Sequence, residues 1–364
     1  MAFETKFWFV YHLCLLIACF MQHCVNGNSS QVPCLFIFGD SFSDSGNNNY
    51  IPTTAKADYK PYGIDFPKGP TGRFTNGKTQ IDIIGELLGF DSFIPPFANT
   101  TGFDIMKGVN YASASSGIRN ETGKRTTVTN IDFGQQIENH KTIVTQIAVK
   151  LGSKENAKQY LKKCLYYIYI GTNDYALNYF QPDLYNTSRM YNPEEYVKVL
   201  IDQYSVYGKA LYNYGAKKFV AVGLGKIGCT PMILANSSVN GSCVEKLNDI
   251  EAIFSRKLRS LVNRLNTEHP DSKTIFINTT AIRVDRSHGF TNLNTSCCPM
   301  NSDGLCIRGS TPCPNRTEYI YYDGIHPTEA ANKITATASY DSNNNPKIAF
   351  PLDIKRLTQL QLYK

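Results

Sequence analysis

Cys34-Leu35-Phe36-Ile37-Phe38 is an unbroken apolar run that ends abruptly in Gly39-Asp40-Ser41. Apolar, β-rich residues without alternation, closed by a turn signal, read as a strand buried on both faces. The same form recurs at residues 109–112, 165–170, 218–222 and 274–277, each followed by Gly, Ser or Asn. Between these runs lie helical patterns. Over residues 244–267, Leu247, Ile250, Phe254, Leu258, Leu261 and Leu265 fall at three- and four-residue steps, with Pro270 beyond the end. A second helix opens where Asn192 can cap, Pro193 suits the first turn and Glu194 and Glu195 favour the dipole, and it stops near Gly215. Buried strands alternating with helices predict an α/β domain with a parallel sheet covered on both faces. In such sheets ligands bind at the carboxyl ends of the strands, where Ser41 lies.

The chain has 364 residues, 42% of them hydrophobic, which suffices for a full core and excludes disorder. No fixed-period repeat and no Pro-, Gly- or Ser-rich linker divides it, so residues 28–364 read as a single domain. Residues 1–27, with Lys6 ahead of an apolar run and small or polar residues after it, read as a secretory signal peptide. No later stretch is long enough to span a bilayer. Charged residues are only 18%, and the net charge of +7 is scattered in short pairs such as Lys162-Lys163 and Lys217-Lys218. That distribution argues against a nucleic-acid track and leaves weak association with a wall polysaccharide or membrane surface.

Eleven cysteines become eight once Cys14, Cys19 and Cys24 leave with the leader, an even number suited to disulfides in a secreted protein. Cys297, Cys298, Cys306 and Cys313 crowd one segment, but lack the paired spacing of a zinc site, so bridges of unspecified connectivity are expected. Nine Asn-x-Ser/Thr sequons, at Asn28, Asn99, Asn120, Asn186, Asn236, Asn240, Asn278, Asn294 and Asn315, mark candidate glycosylated surface.

Four blocks carry candidate chemistry, and each has a bland reading when taken alone. Ser41 follows the first strand and is either a nucleophile or a helix cap. Asp323-Gly324-Ile325-His326 spaces a carboxylate to hold an imidazole tautomer, although a turn Asp beside a His is commoner. Asn173, in Gly171-Thr172-Asn173-Asp174, follows another strand and offers an amide donor, or a plain turn. In the segment from Gly108 through Ser115 to Gly117, small residues allow backbone amides to face a ligand, or merely pack closely. A decoy, Gly223-Leu224-Gly225-Lys226-Ile227-Gly228, fits G-x-G-x-x-G, but Cys229, Thr230 and Pro231 stand where a dinucleotide-binding helix would run.

Taken together, these blocks, the run from Phe38 to Tyr50 with Gly46-Asn47-Asn48-Asn49, the segment from Ala57 to Phe74 and the segment from Asp323 to Asn332 resemble the plant-type GDSL esterase/lipase family of the SGNH hydrolases. The resemblance spans nearly the whole mature chain. It implies a three-layer α/β/α, flavodoxin-like fold with a five-stranded parallel core sheet. It also implies a secreted serine ester hydrolase without metal or cofactor, acting on lipid, polysaccharide or small-molecule esters. Position by position, Ser41 matches the nucleophile, His326 the base, Asp323 its orienting carboxylate, and Asn173 and Ser115 oxyanion-hole donors. Two residues depart from the family pattern: Phe42 replaces the usual Leu, and Ser115 the usual Gly, where a positive φ would be strained. The same acyl-enzyme could serve an acyltransferase, and the drifted oxyanion loop raises the alternative of a non-catalytic wall- or lipid-binding protein.

Overall fold

The computed structural model describes residues 30–236 and 242–362, so the expected leader, together with Asn28 and Asn240, lies outside the described residues. The central sheet is built from β1 (Leu35–Gly39), β2 (Leu165–Tyr169), β3 (Lys218–Val222) and β4 (Lys273–Ile277), adjacent in that order and all parallel. The first three are buried at every position, which is why their sequences do not alternate.

Two strand expectations are corrected. Residues 109–112 form no regular strand. They run beside β1 through isolated bridges, with the Ile37 N–H donating to Val109 and the Tyr111 N–H to Ile37. On its far side this segment bonds to Pro95 and Phe97, which belong to no strand, so the ladder is not extended although Tyr111 is fully buried. The fifth strand is β7 (Ala349–Phe350), antiparallel to β4, too short to leave a periodic signal. A separate small sheet pairs β5 (Asn292–Ser296) with β6 (Tyr319–Tyr321).

Helices α1 (Gln80–Leu87), α5 (Glu329–Tyr340) and α6 (Ile354–Gln359) cover one face of the central sheet. Helices α2 (Phe133–Lys150), α3 (Pro193–Tyr214) and α4 (Glu245–Glu268) cover the other, giving the three layers. The α3 signals appear as read: Asn192 and Glu195 form a reciprocal capping box, and Gly215 ends the helix at φ 115°. Thr328 caps α5 by accepting from the Ala331 N–H, with Pro327 one residue ahead of the cap.

All eight described cysteines pair, as Cys34–Cys164, Cys229–Cys243, Cys297–Cys313 and Cys298–Cys306. Among the described sequons, Asn99, Asn120, Asn186, Asn236, Asn294 and Asn315 are exposed and Asn278 is half-buried. No helix among the described residues is long and apolar enough to cross a membrane. Cys34–Cys164 ties the start of β1 to the start of β2 across a sequence separation of 130. Closing so long a loop restricts the unfolded chain most, by about 5 kcal/mol in the chain-entropy account. Replacing both cysteines with alanine should lower the unfolding free energy in denaturant titration by about 3–5 kcal/mol; a loss under about 1 kcal/mol would contradict this assignment.

Candidate active site

Strand β1 delivers Ser41 to the carboxyl edge through Gly39 and Asp40. Gly39 is required by close approach, since a Cβ there would stand 2.6 Å from the Tyr169 carbonyl oxygen. The Gly39 carbonyl receives the Gln136 side-chain amide at 2.8 Å and the Ser116 hydroxyl at 3.0 Å, while the Gly39 N–H donates to Gln136 Oε1 at 3.0 Å. Gln136, on α2, thus fixes the backbone two residues before Ser41. Nothing in its helical sequence context marked it.

From the opposite end of the chain, β6 leads into the loop carrying Asp323 and His326. The Tyr322 N–H donates to the His326 carbonyl and the Thr328 N–H to Ile320, folding the loop back on itself. The Cys297 and Cys298 N–H groups donate to Tyr321 and Tyr322. The crowded cysteines therefore staple the strand that presents this loop.

The groups brought together are precise in their spacing. Ser41 Oγ lies 2.7 Å from His326 Nε2, and His326 Nδ1 lies 2.8 Å from Asp323 Oδ2. Asp323 is fully buried and accepts from the Ile325 and His326 N–H groups at 2.8 and 2.7 Å. It also accepts from the Tyr62 hydroxyl at 2.6 Å. Because a carboxylate so supplied with donors only accepts, the imidazole proton sits on Nδ1 and leaves Nε2 to accept from Ser41. Tyr62 is the contact that sequence reading missed. It lies 261 residues from Asp323, its oxygen accepts from the Cys306 N–H at 3.0 Å, and burial followed by the Asp323 charge drives its hydroxyl well above the ordinary range. Phe74 and Phe42 flank the His326 ring at centroid distances of 4.9 and 5.4 Å.

Asn173 follows β2, and its side-chain amide donates to the Ser116 carbonyl at 2.9 Å, which ties it to the loop bearing Ser115 and leaves its second hydrogen free of that contact. Ser115 has φ 62°, the left-handed conformation that the substitution of Gly makes costly. The surroundings impose it. Asp44 Oδ2 accepts from the Ala114 N–H, Asn130 donates to the Ser115 carbonyl, and the Ser115 hydroxyl bonds the Ala114 carbonyl and Thr127 Oγ1. Asp174 holds the far end of the same loop through the Ile118 and Arg119 N–H groups. Among the described residues, neither the Ser41 nor the Ser115 N–H bonds a backbone carbonyl.

The G-x-G-x-x-G segment does not open a phosphate-binding helix. It enters a short 3-10 turn, Ile227–Cys229, and the Cys229–Cys243 bridge.

The family description GDSL-like Lipase/Acylhydrolase matches residues 35–338, and the chain belongs to this family of carboxylic ester hydrolases. It is 48% identical to one Arabidopsis thaliana protein named a GDSL esterase/lipase, over 91% of this chain and 92% of that relative. A second Arabidopsis thaliana GDSL esterase/lipase is 46% identical over 95% of this chain and 97% of its own.

Two outcomes follow from the buried polar groups. Ser115→Ala keeps the left-handed strain and loses the hydroxyl bonds, whereas Ser115→Gly loses the bonds but relieves the strain. The alanine variant should be less stable than the glycine variant by about 1–2 kcal/mol in denaturant titration, and equal stabilities would refute the strain. Burial pushes Asp40 up to about 7, and Asp44 and Asp174 up to about 6. The folded state then binds protons more tightly than the unfolded chain above about pH 4, so this stabilisation is lost as pH rises through 6–7. The melting temperature should fall by roughly 5 °C or more between pH 5 and pH 8; a flat or rising profile would contradict it.

Proposed function

We propose that the protein is a secreted serine esterase that cleaves carboxylic esters through an acyl-enzyme on Ser41. The observation that carries this reading is the 2.7 Å contact between Ser41 Oγ and an imidazole nitrogen whose ring is held from behind by a fully buried carboxylate. The disulfides and exposed sequons support an oxidising, extracellular destination.

In this mechanism Ser41 Oγ attacks the ester carbonyl carbon while its proton passes to His326 Nε2. Asp323 holds the tautomer and stabilises the imidazolium. The tetrahedral oxyanion is met by the Ser41 and Ser115 N–H groups and the free amide hydrogen of Asn173. Collapse breaks the bond to the alcohol oxygen, which leaves with the proton from His326. Water then attacks the acyl-enzyme, giving its proton to His326, and the carboxylic acid departs as Ser41 Oγ recovers that proton.

Ser41→Ala should abolish hydrolysis of a chromogenic short-chain ester, and Asn173→Ala should lower kcat about 10²–10³-fold with an unchanged melting temperature. Full turnover in either variant refutes the role given to that residue. Tyr62→Phe removes one of the four donors that hold Asp323 in place behind His326. It should reduce kcat about tenfold with KM nearly unchanged. An unchanged kcat, or a rise in KM alone, would make Tyr62 a packing residue only.

A further inference from the structure

A cavity of about 410 Å³ runs along the carboxyl edge of the sheet beside Phe42. It passes the ends of β2 and β3 at Tyr169 and Gly225 and reaches Thr279 just beyond β4. Phe42 stands between it and the site, with its ring 5.3 Å from Tyr169 and 5.4 Å from His326. Much of the lining is apolar, including Ile282, Val284, Leu293 and Ile320, and the exposed Lys226 is its one basic side chain among the described residues.

Within that lining stands Glu251, from the second turn of α4, only 1% exposed. Its Oε2 accepts from the Ile227 N–H at 2.8 Å, while its Oε1 has no partner among the described residues. The Thr172 hydroxyl, also in the lining, is buried and equally unpartnered. The phenol-bearing residues Tyr169 and Tyr321 share the same wall. A buried carboxyl with an unanswered oxygen costs stability, and burial pushes Glu251 up to about 8, so at neutral pH it carries a proton. Oε2 being engaged as an acceptor, that proton belongs on Oε1. A neutral acid, a threonine hydroxyl and two phenols beside an apolar wall complement a group that is uncharged, both donates and accepts, and is attached to a hydrocarbon chain. A hydroxyl is such a group.

We propose that this cavity takes the hydroxyl-bearing portion of an uncharged ester and that Glu251 is the residue that reads the hydroxyl. The proposal rests on the Ser41 reading for the placement of the scissile bond, but the binding test below does not require turnover.

Two measurements decide it. The first is the ratio of kcat/KM for monooctanoylglycerol to that for ethyl octanoate. Loss of a hydrogen bond to a buried group corresponds to roughly 5- to 100-fold, so Glu251→Leu should lower the ratio at least tenfold. Glu251→Gln, whose carbonyl can accept from Ile227 while its amide donates into the cavity, should hold the ratio within about threefold. Thr172→Val should lower it to an intermediate extent and covers the case in which the leucine variant does not fold. The second is calorimetric titration of 1-O-octylglycerol, a non-hydrolysable ether, into Ser41→Ala protein with and without Glu251→Leu. Tenfold weaker binding in the double variant, with octyl methyl ether, which carries no hydroxyl, binding equally to both, supports the site. An unchanged ratio in folded Glu251→Leu and Thr172→Val proteins overturns it, as does a preference for an octanoyl ester of a quaternary ammonium alcohol that Glu251→Leu removes. If Ser41→Ala still hydrolyses esters, the nucleophile assignment fails and the ether titration alone judges the cavity.

Discussion

The site depends on one buried carboxylate being held in one place. Asp323 has no exposure and receives two backbone N–H groups, a tyrosine hydroxyl and the imidazole Nδ1. An ionised group removed from water is tolerated only when donors replace its solvation, and here four do. Each donor is itself anchored. Tyr62 is tied to Cys306, inside the Cys298–Cys306 loop, and the backbone around Asp323 is tied through Tyr321 and Tyr322 to Cys297 and Cys298. The disulfide cluster thus bears on chemistry as well as stability, because it fixes the loop on which the imidazole is aimed.

The remaining geometry is supplied by the sheet. Parallel pairing of β1 with β2 puts Gly39 opposite Tyr169, so the residues following them, Ser41 and Asn173, emerge along one edge. The loop bearing Ser115 is laced to that edge by amide side chains: Asn47 donates to the Asn110 and Ala112 carbonyls, and Asn110 to Ser43. This accounts for the run of asparagines after Gly46, whose planar amides answer backbone groups where no regular ladder forms. It also explains how a serine is retained at φ 62°. Contacts on both sides of Ser115 fix the backbone, and the hydroxyl recovers part of the conformational cost.

Sequence made the layers legible because β1, β2, β3 and β4 are buried, uninterrupted apolar runs, and α3 carries its caps in plain view. It could not reveal β7, two residues long, or the demotion of residues 109–112 to bridges, since both are decided by partners distant in the chain. At the site, Ser41, Asn173, Asp323 and His326 were legible as motifs after strands or within a turn. Tyr62, Gln136 and Glu251 were not, because a tyrosine in a loop and polar residues on helices become functional candidates only when folding removes their water. Cysteine pairing was likewise beyond reach, because spacing alone does not choose among connectivities.

The central claim is that Ser41, activated by His326, is the covalent nucleophile. Treating the folded protein with a fluorophosphonate and mapping the adduct by peptide mass spectrometry tests it directly. A single phosphonyl group on Ser41 is the expected result. Modification of Ser43, Ser113, Ser115 or Ser116 in place of Ser41, or no adduct on a protein that still hydrolyses esters, would contradict it.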